Sequence, residues 1–101
     1  MDLTRRSHVD TEERRAALMA LRVTWDKSIL LRREQIHWEV VAAIEADVLA
    51  FAETMTGDAD IGQGYRPKVL LRAAHGYTLK MRVDLFEKTL YVYGMSAPRG
   101  R

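Results

Sequence analysis

Residues 77–83, Tyr-Thr-Leu-Lys-Met-Arg-Val, alternate polar and apolar side chains along most of their length. A period of two is typical of a strand that buries one face. Segments 68–73 and 89–94, on either side, show the same alternation, and only short stretches separate the three. Connections of that length join antiparallel neighbours. The sequence therefore predicts an antiparallel β-meander within residues 67–95.

This alternation predicts one buried and one exposed face for the meander. The predicted apolar face consists of Val69, Leu71, Tyr77, Leu79, Met81, Val83, Leu90 and Val92. The predicted exposed face consists of Lys68, Leu70, Arg72, Thr78, Lys80, Arg82, Thr89, Tyr91 and Tyr93. Apart from Asp84 at a strand end, no acid is predicted there. Cations with interleaved tyrosines suit a nucleic acid, because Lys and Arg neutralise phosphates and aromatic rings stack on unpaired bases. An ordinary solvated sheet face is the alternative interpretation.

N-terminal to the meander, the apolar period becomes that of a helix. Apolar residues at steps of three and four form one stripe: Val41, Ile44, Val48, Phe51 and Met55. This spacing predicts a helix within residues 29–56 that turns the stripe toward the core. Gly57 is the predicted helix stop, and residues 57–66 are predicted to be a glycine-rich linker.

Residues 11–56 as a whole are predicted to be mostly helical, starting with a short helix that Asp10 caps and that runs to Leu21. The segment around Val23 and Thr24 is ambiguous, because β-branched residues favour a strand but do not forbid a helix. Two interpretations stay open here. One is an unbroken helix about 69 Å long, which would need partner subunits; the other is a strand followed by separate helices.

Together these patterns predict a single-domain α+β protein, with N-terminal helices packed on one face of a small C-terminal antiparallel sheet. Residues 1–10 are predicted to be a loose lead and residues 96–101 a loose basic tail. The 101-residue chain is 48% hydrophobic and has no cysteine, which excludes a disulfide scaffold and a thiolate metal site. No apolar run approaches the length of a membrane span, so we expect a cytoplasmic protein with no membrane partner.

Charge is divided unevenly along the chain. Residues 1–59 carry eleven acidic and eight basic side chains, whereas residues 60–101 carry eight basic and three acidic ones. The imbalance indicates that the C-terminal part meets an anionic partner. No metal site is predicted, because Glu34 and His37 form only a two-ligand fragment at helical spacing.

The order of these patterns resembles the RelE/ParE toxin superfamily. A strand-like segment, two helical segments and a meander follow one another at 22–25, 29–36, 39–56 and 67–95, with a break near His37-Trp38. The stretch Gly-Tyr-Thr-Leu-Lys-Met-Arg-Val at 76–83 is similar to the strand after the first hairpin turn in that superfamily. The resemblance covers about residues 21–96.

Some members of that superfamily cut messenger RNA on the ribosome with basic and aromatic residues of the sheet and the C-terminus. The resemblance implies as catalytic candidates Arg72, Arg82, Tyr93 and Arg99. The predicted exposed face itself supplies the nucleic-acid-binding candidates Lys68, Arg72, Lys80, Arg82 and Tyr91. If the protein is an enzyme, the resemblance implies a metal-independent endoribonuclease without a cofactor. The implied partners are RNA or the ribosome and an antitoxin protein, although several relatives act on DNA gyrase instead.

A non-enzymatic function stays open as the alternative. If residues 11–56 form one helix, its apolar stripe would pack against neighbouring subunits of a particle. The order of elements then resembles a phage head-tail connector or another structural assembly subunit, whose cations would face an acidic neighbour or a DNA channel. Segment 23–28 discriminates between the two, because a strand there favours the toxin-like fold and a helix favours the assembly protein.

Overall fold

The structure, a computed structural model, describes residues 20–98. Its elements in chain order are β1 (Arg22–Trp25), α1 (Lys27–Arg33), α2 (Trp38–Thr54), β2 (Ala59–Ile61), β3 (Lys68–Arg72), β4 (Thr78–Asp84) and β5 (Thr89–Ser96). A 3₁₀ turn at Ala74–Gly76 connects β3 to β4. Helices followed by a stranded C-terminal part confirm the predicted α+β class.

Within residues 20–98 the strands form a five-stranded sheet in the order β1-β5-β4-β3-β2. The predicted meander is present, since β3, β4 and β5 pair antiparallel in sequence, with bounds close to those expected. The prediction of a wholly antiparallel sheet is wrong for one pair, because β1 runs parallel to β5. The helices α1 and α2 lie between these two strands in the chain and supply the long connection that a parallel pair requires.

Strand β1 settles the ambiguous segment, so residues 11–56 do not form one unbroken helix. The backbone amides of Arg22 and Asp26 donate to the carbonyls of Lys88 (2.8 Å) and Val92 (2.9 Å), which holds β1 along β5. The helix predicted from Asp10 to Leu21 lies outside the described residues except for its last two positions, and those are not helical.

Helix α1 begins directly after β1 because Asp26 caps it. The Ser28 amide donates to Asp26 Oδ2 at 3.0 Å, and the Ser28 hydroxyl donates to the same oxygen at 2.5 Å. Both bonds lower the pKa of the Asp26 carboxyl below its ordinary value, and the bond from the hydroxyl has the larger effect. The cap therefore contributes stability at neutral pH that is lost as the pH falls through that lowered pKa.

The helical stretch predicted at 29–56 is divided into two helices near His37-Trp38, where the resemblance implies the break. Turns follow α1, and His37 then caps α2 by accepting from the Glu39 amide through Nδ1 (3.2 Å). Helix α2 ends at Thr54, where Met55 takes the left-handed conformation (φ 55°) and its amide donates to Phe51 O. The helix stop is therefore Met55, two residues before the predicted Gly57.

The stretch 57–66 is not only a linker, because β2 lies within it and pairs antiparallel with β3. The Arg72 amide donates to the Asp58 carbonyl, and the Gly62 amide donates to the Lys68 carbonyl, each at 2.8 Å. A three-residue strand in a glycine-rich stretch gives almost no alternation in sequence, and only pairing with β3 makes it visible.

The core lies between the helices and one face of the sheet. Phe51 and Val48 of α2 and Ile29 of α1 belong to one buried cluster with side chains of β3, β4 and β5. The predicted apolar face is confirmed: Val69, Leu71, Leu79, Met81, Val83, Leu90 and Val92 are buried, and Tyr77 is half-buried. Within residues 20–98 neither helix has the length and apolarity needed to cross a bilayer.

The stability of this core depends on Phe51, whose side chain is 0% exposed. Phe51→Ala should lower the free energy of unfolding by about 3–5 kcal/mol, because it removes a large buried ring and leaves a cavity. Leu49→Ala, at a neighbouring position that is 55% exposed, should change it by less than about 0.5 kcal/mol. Chemical denaturation of both variants measures the difference, and similar losses would contradict this packing.

Candidate nucleic-acid interface

The sheet face opposite the helices, called the outer face here, is organised by the strand register. Lys68 of β3 lies directly opposite Arg82 of β4, and Arg82 lies directly opposite Tyr91 of β5. Thr24 of β1 lies beside Tyr91 on the other side. Since directly paired residues point to the same face with Cβ atoms about 5 Å apart, these side chains form one row across four strands.

A second row contains Lys80 and Tyr93, and it depends on an irregularity in β5. The register shifts between Lys80 and Met81, so that Lys80 lies opposite Gly94 while Met81 lies opposite Val92. Tyr93 is the extra residue, and its ring is exposed. A Cβ at Gly94 would come within 3.1 Å of the Lys80 Cβ and 3.2 Å of its Cδ. The Lys80 stem therefore lies over Gly94, and a side chain there would displace it.

Lys68, Lys80 and Arg82 form a cationic cluster without local neutralisation. Among the described residues, no carboxylate lies within 4 Å of any of the three. Like charges placed directly opposite on neighbouring strands are destabilising. The outer face therefore concentrates positive charge at a cost in stability that a bound polyanion would offset.

The acid nearest to this cluster along β4 already has partners. Asp84 Oδ2 lies 3.3 Å from Arg66 Nε, and Asp84 Oδ1 accepts from the amides of Phe86 and Glu87, each at 3.0 Å. These contacts hold the β4–β5 turn and the segment before β3 together. They leave the carboxylate unavailable to Arg82.

Arg72 differs from the other cations, because its guanidinium is held against β2. Its Nη1 donates to Asp58 Oδ1 at 3.1 Å, and its Nη2 donates to Asp60 Oδ2 at 2.7 Å. The hydrogen bond that Arg72 donates to Asp60 is the main cause that raises the pKa of Arg72. The expectation that Asp84 is the one acid of this face is wrong, since β2 brings Asp60 onto it.

The catalytic candidates do not converge on one point. Arg72 lies opposite Thr78, four residues along β4 from Arg82, which corresponds to about 13 Å of extended chain. The Arg72 guanidinium also turns toward β2, away from Arg82. Tyr93 lies beside Lys80, and Arg99 lies outside the described residues. The binding candidates Lys68, Lys80, Arg82 and Tyr91, by contrast, lie together.

An open groove of about 490 Å³ lies beside the cationic cluster, between β2 and Tyr93. Its lining residues are Asp60, Ile61, Gly62, Lys68, Val69, Leu70, Lys80 and Tyr93. The Asp60 carboxylate in this lining already accepts from Arg72. The two ammonium groups, the apolar floor and the aromatic wall fit an anionic ligand with a flat ring. Among residues 20–98, no three potential metal ligands come together.

Three features of this face were missed by sequence reasoning. Arg22 joins the face through β1, and its Nη2 lies 3.5 Å from Thr89 Oγ1. Thr89, predicted to be exposed, is 1% exposed, and it pairs with Arg22 of β1 on one side and with Asp84 of β4 on the other. Asp58 and Asp60 belong to the face through β2. The spacing Asp58-x-Asp60, inside the stretch predicted to be a linker, was the available signal for the last feature, because alternate residues of a strand point to the same face.

Comparisons with protein-family models, with curated proteins and with solved structures found no match to this chain. The geometry of the outer face and the order of the elements are therefore the features from which a function can be inferred.

The ion pairs of Arg72 predict a gain of binding when they are removed. Asp58→Asn with Asp60→Asn should free one more guanidinium and remove two negative charges beside the groove. Affinity for a single-stranded polynucleotide should rise, and the plot of log affinity against log salt should steepen by about 0.7, the value for one added phosphate contact. Fluorescence anisotropy at several salt concentrations measures both quantities.

The matched control is Glu34→Gln with Glu39→Gln, which removes two negative charges from exposed side chains on the helical side. Its salt slope should stay at the wild-type value. Equal slopes for all three proteins would show that Arg72 does not face the polyanion.

Proposed function

We propose that this protein is a RelE/ParE-like toxin or a relative of that superfamily, and that its outer face engages RNA. The observation that carries the proposal is the row in which Arg82 lies between Lys68 and Tyr91. This row joins two unneutralised cations to an exposed aromatic ring. Cations bind the phosphates of RNA, and aromatic rings stack on its unpaired bases.

The order of elements supports the same proposal. A strand at Arg22–Trp25, two helices and a C-terminal meander follow one another, which is the order on which the resemblance depends. The alternative, a phage-like head-tail connector or other structural assembly subunit, depended on one helix across residues 11–56. Strand β1 removes that premise, because it interrupts the stretch at the discriminating segment.

Binding comes before cleavage in this proposal. Cutting RNA without a metal requires a group that stabilises the phosphate charge and groups that move protons. In a cleaving protein of this kind, Arg82 would stabilise the charge and Tyr93 would transfer a proton. Arg72 is bound by two carboxylates, so its help would require the ion pairs to open.

RNA is favoured over a nucleic-acid enzyme such as gyrase, because exposed Tyr91 and Tyr93 accompany the cations. Their rings can stack on unpaired bases, which RNA offers and a protein target does not. We propose an antitoxin protein as the natural partner, covering the cationic cluster, and the cytoplasm as the location where ribosomes and RNA are met.

Induced expression in a bacterial host tests this proposal. The wild-type protein should arrest growth and translation within the first generations after induction. Lys80→Ala with Arg82→Ala should relieve the arrest, because it removes two of the three charges of the cationic cluster while the buried side chains of β4 stay unchanged. Growth curves and incorporation of labelled amino acids measure the effect.

The matched control is Lys27→Ala, which removes an exposed cation at the start of α1 and should leave the arrest intact. Arrest of DNA replication with translation continuing would show that the target is a nucleic-acid enzyme instead. Normal growth with abundant folded wild-type protein would contradict the toxin proposal.

A further inference from the structure

Tyr65 and Phe86 form an aromatic pair at one end of the sheet. The pair belongs neither to the core nor to the two rows of the outer face. The rings of Tyr65 and Phe86 have centroids 5.1 Å apart and are tilted by 38°. Tyr65 is 69% exposed and Phe86 is 72% exposed. Each ring therefore contacts the other and still presents most of its surface to solvent.

The backbone holds this aromatic pair in place. Beyond the paired residues of β3 and β4, the Val83 amide donates to the Pro67 carbonyl (3.0 Å), and the Leu85 amide donates to the Tyr65 carbonyl (3.2 Å). The ion pair of Arg66 with Asp84 lies between these two bonds. The aromatic pair is thus attached to the rigid sheet rather than carried on an unsupported loop.

The aromatic pair lies close to the cationic cluster. Tyr65 precedes Lys68 by three residues and Phe86 follows Arg82 by four, so their Cα atoms lie at most about 10 Å and about 13 Å from those of Lys68 and Arg82. A nucleic acid bound to those cations would reach the rings with its neighbouring nucleotides. Charge complementarity therefore favours a nucleic acid over an apolar protein partner at this end of the sheet.

We propose that Tyr65 and Phe86 form a stacking site for unpaired bases of a single-stranded RNA whose phosphates bind Lys68 and Arg82. This inference rests on the proposed function, and it adds the strandedness of the ligand and a second point of contact. Bases of a duplex are already stacked on one another and show only their edges, so exposed ring faces select single strands.

The test compares Phe86→Leu with wild type on a short unstructured RNA and on the same RNA in a duplex. Phe86→Leu keeps apolar bulk and the turn backbone but removes the flat ring. It should weaken binding to the single strand by about fivefold to about a hundredfold, the equivalent of one lost stacking contact. Duplex binding should be unchanged, and Phe86→Trp should restore single-strand binding. Fluorescence anisotropy measures each of these affinities.

Trp38→Leu is the matched control, because Trp38 has the same 72% exposure as Phe86 and lies at the start of α2, away from the outer face. It should leave single-strand binding unchanged, and thermal unfolding of each variant separates lost binding from lost folding. If Phe86→Leu binds the single strand as wild type does, the stacking site is overturned.

The variant Lys80→Ala with Arg82→Ala distinguishes failure of this inference from failure of the proposed function. If Lys80→Ala with Arg82→Ala weakens the binding that wild type shows to the single strand, and Phe86→Leu leaves that binding unchanged, the cationic cluster is supported and the stacking site is contradicted. If wild type binds neither single strand nor duplex, both proposals are contradicted together.

Discussion

Strand β4 is the constraint on which the rest of the structure depends. It is the middle strand of the five and pairs on both sides, and its residues Leu79, Met81 and Val83 are fully buried beneath the helices. Because side chains alternate along a strand, burying these three places Lys80 and Arg82 on the opposite face. A register slip of one residue would bury both charges, so the position of the cations follows from the packing of the core.

The two edge strands then shape the charge of the outer face in opposite ways. Strand β2 brings Asp58 and Asp60 to Arg72 and neutralises that corner. Strand β1 contributes Arg22 and no acid to the other side. Between them, no carboxylate of the described residues lies within 4 Å of Lys68, Lys80 or Arg82. Charge is thus concentrated in the centre of the face, where several phosphates could be bound at once.

Geometry also separates two activities that the same residue types could serve. Catalysis at a phosphate requires its groups within a few ångströms of one point, whereas binding a polyanion requires cations spaced along its length. Arg72 and Arg82 stand about 13 Å apart by strand rise and face different neighbours. The described residues therefore fit an extended ligand better than a compact reaction centre, and Arg99 lies beyond them.

Much of the fold was predictable from the sequence, because it depends on short-range periodicity. The period of two in residues 68–94 and the period near 3.6 in residues 41–55 report which side chains are buried, and burial follows those periods in the structure. The same alternation placed Lys68, Lys80, Arg82, Tyr91 and Tyr93 on the exposed face. Each of these predictions uses residues a few positions apart, where local geometry alone sets the direction of the side chain.

Pairing between distant segments was decided only by the tertiary structure. The parallel addition of β1 to β5, the strand at Ala59–Ile61 and the ion pairs of Arg72 all join residues that are eight or more positions apart along the chain. A short edge strand has little pattern of its own, since the hydrogen bonds of its neighbour stabilise it. For the same reason the sequence by itself determined that the face is basic, and only the assembled sheet decided which of its cations are neutralised.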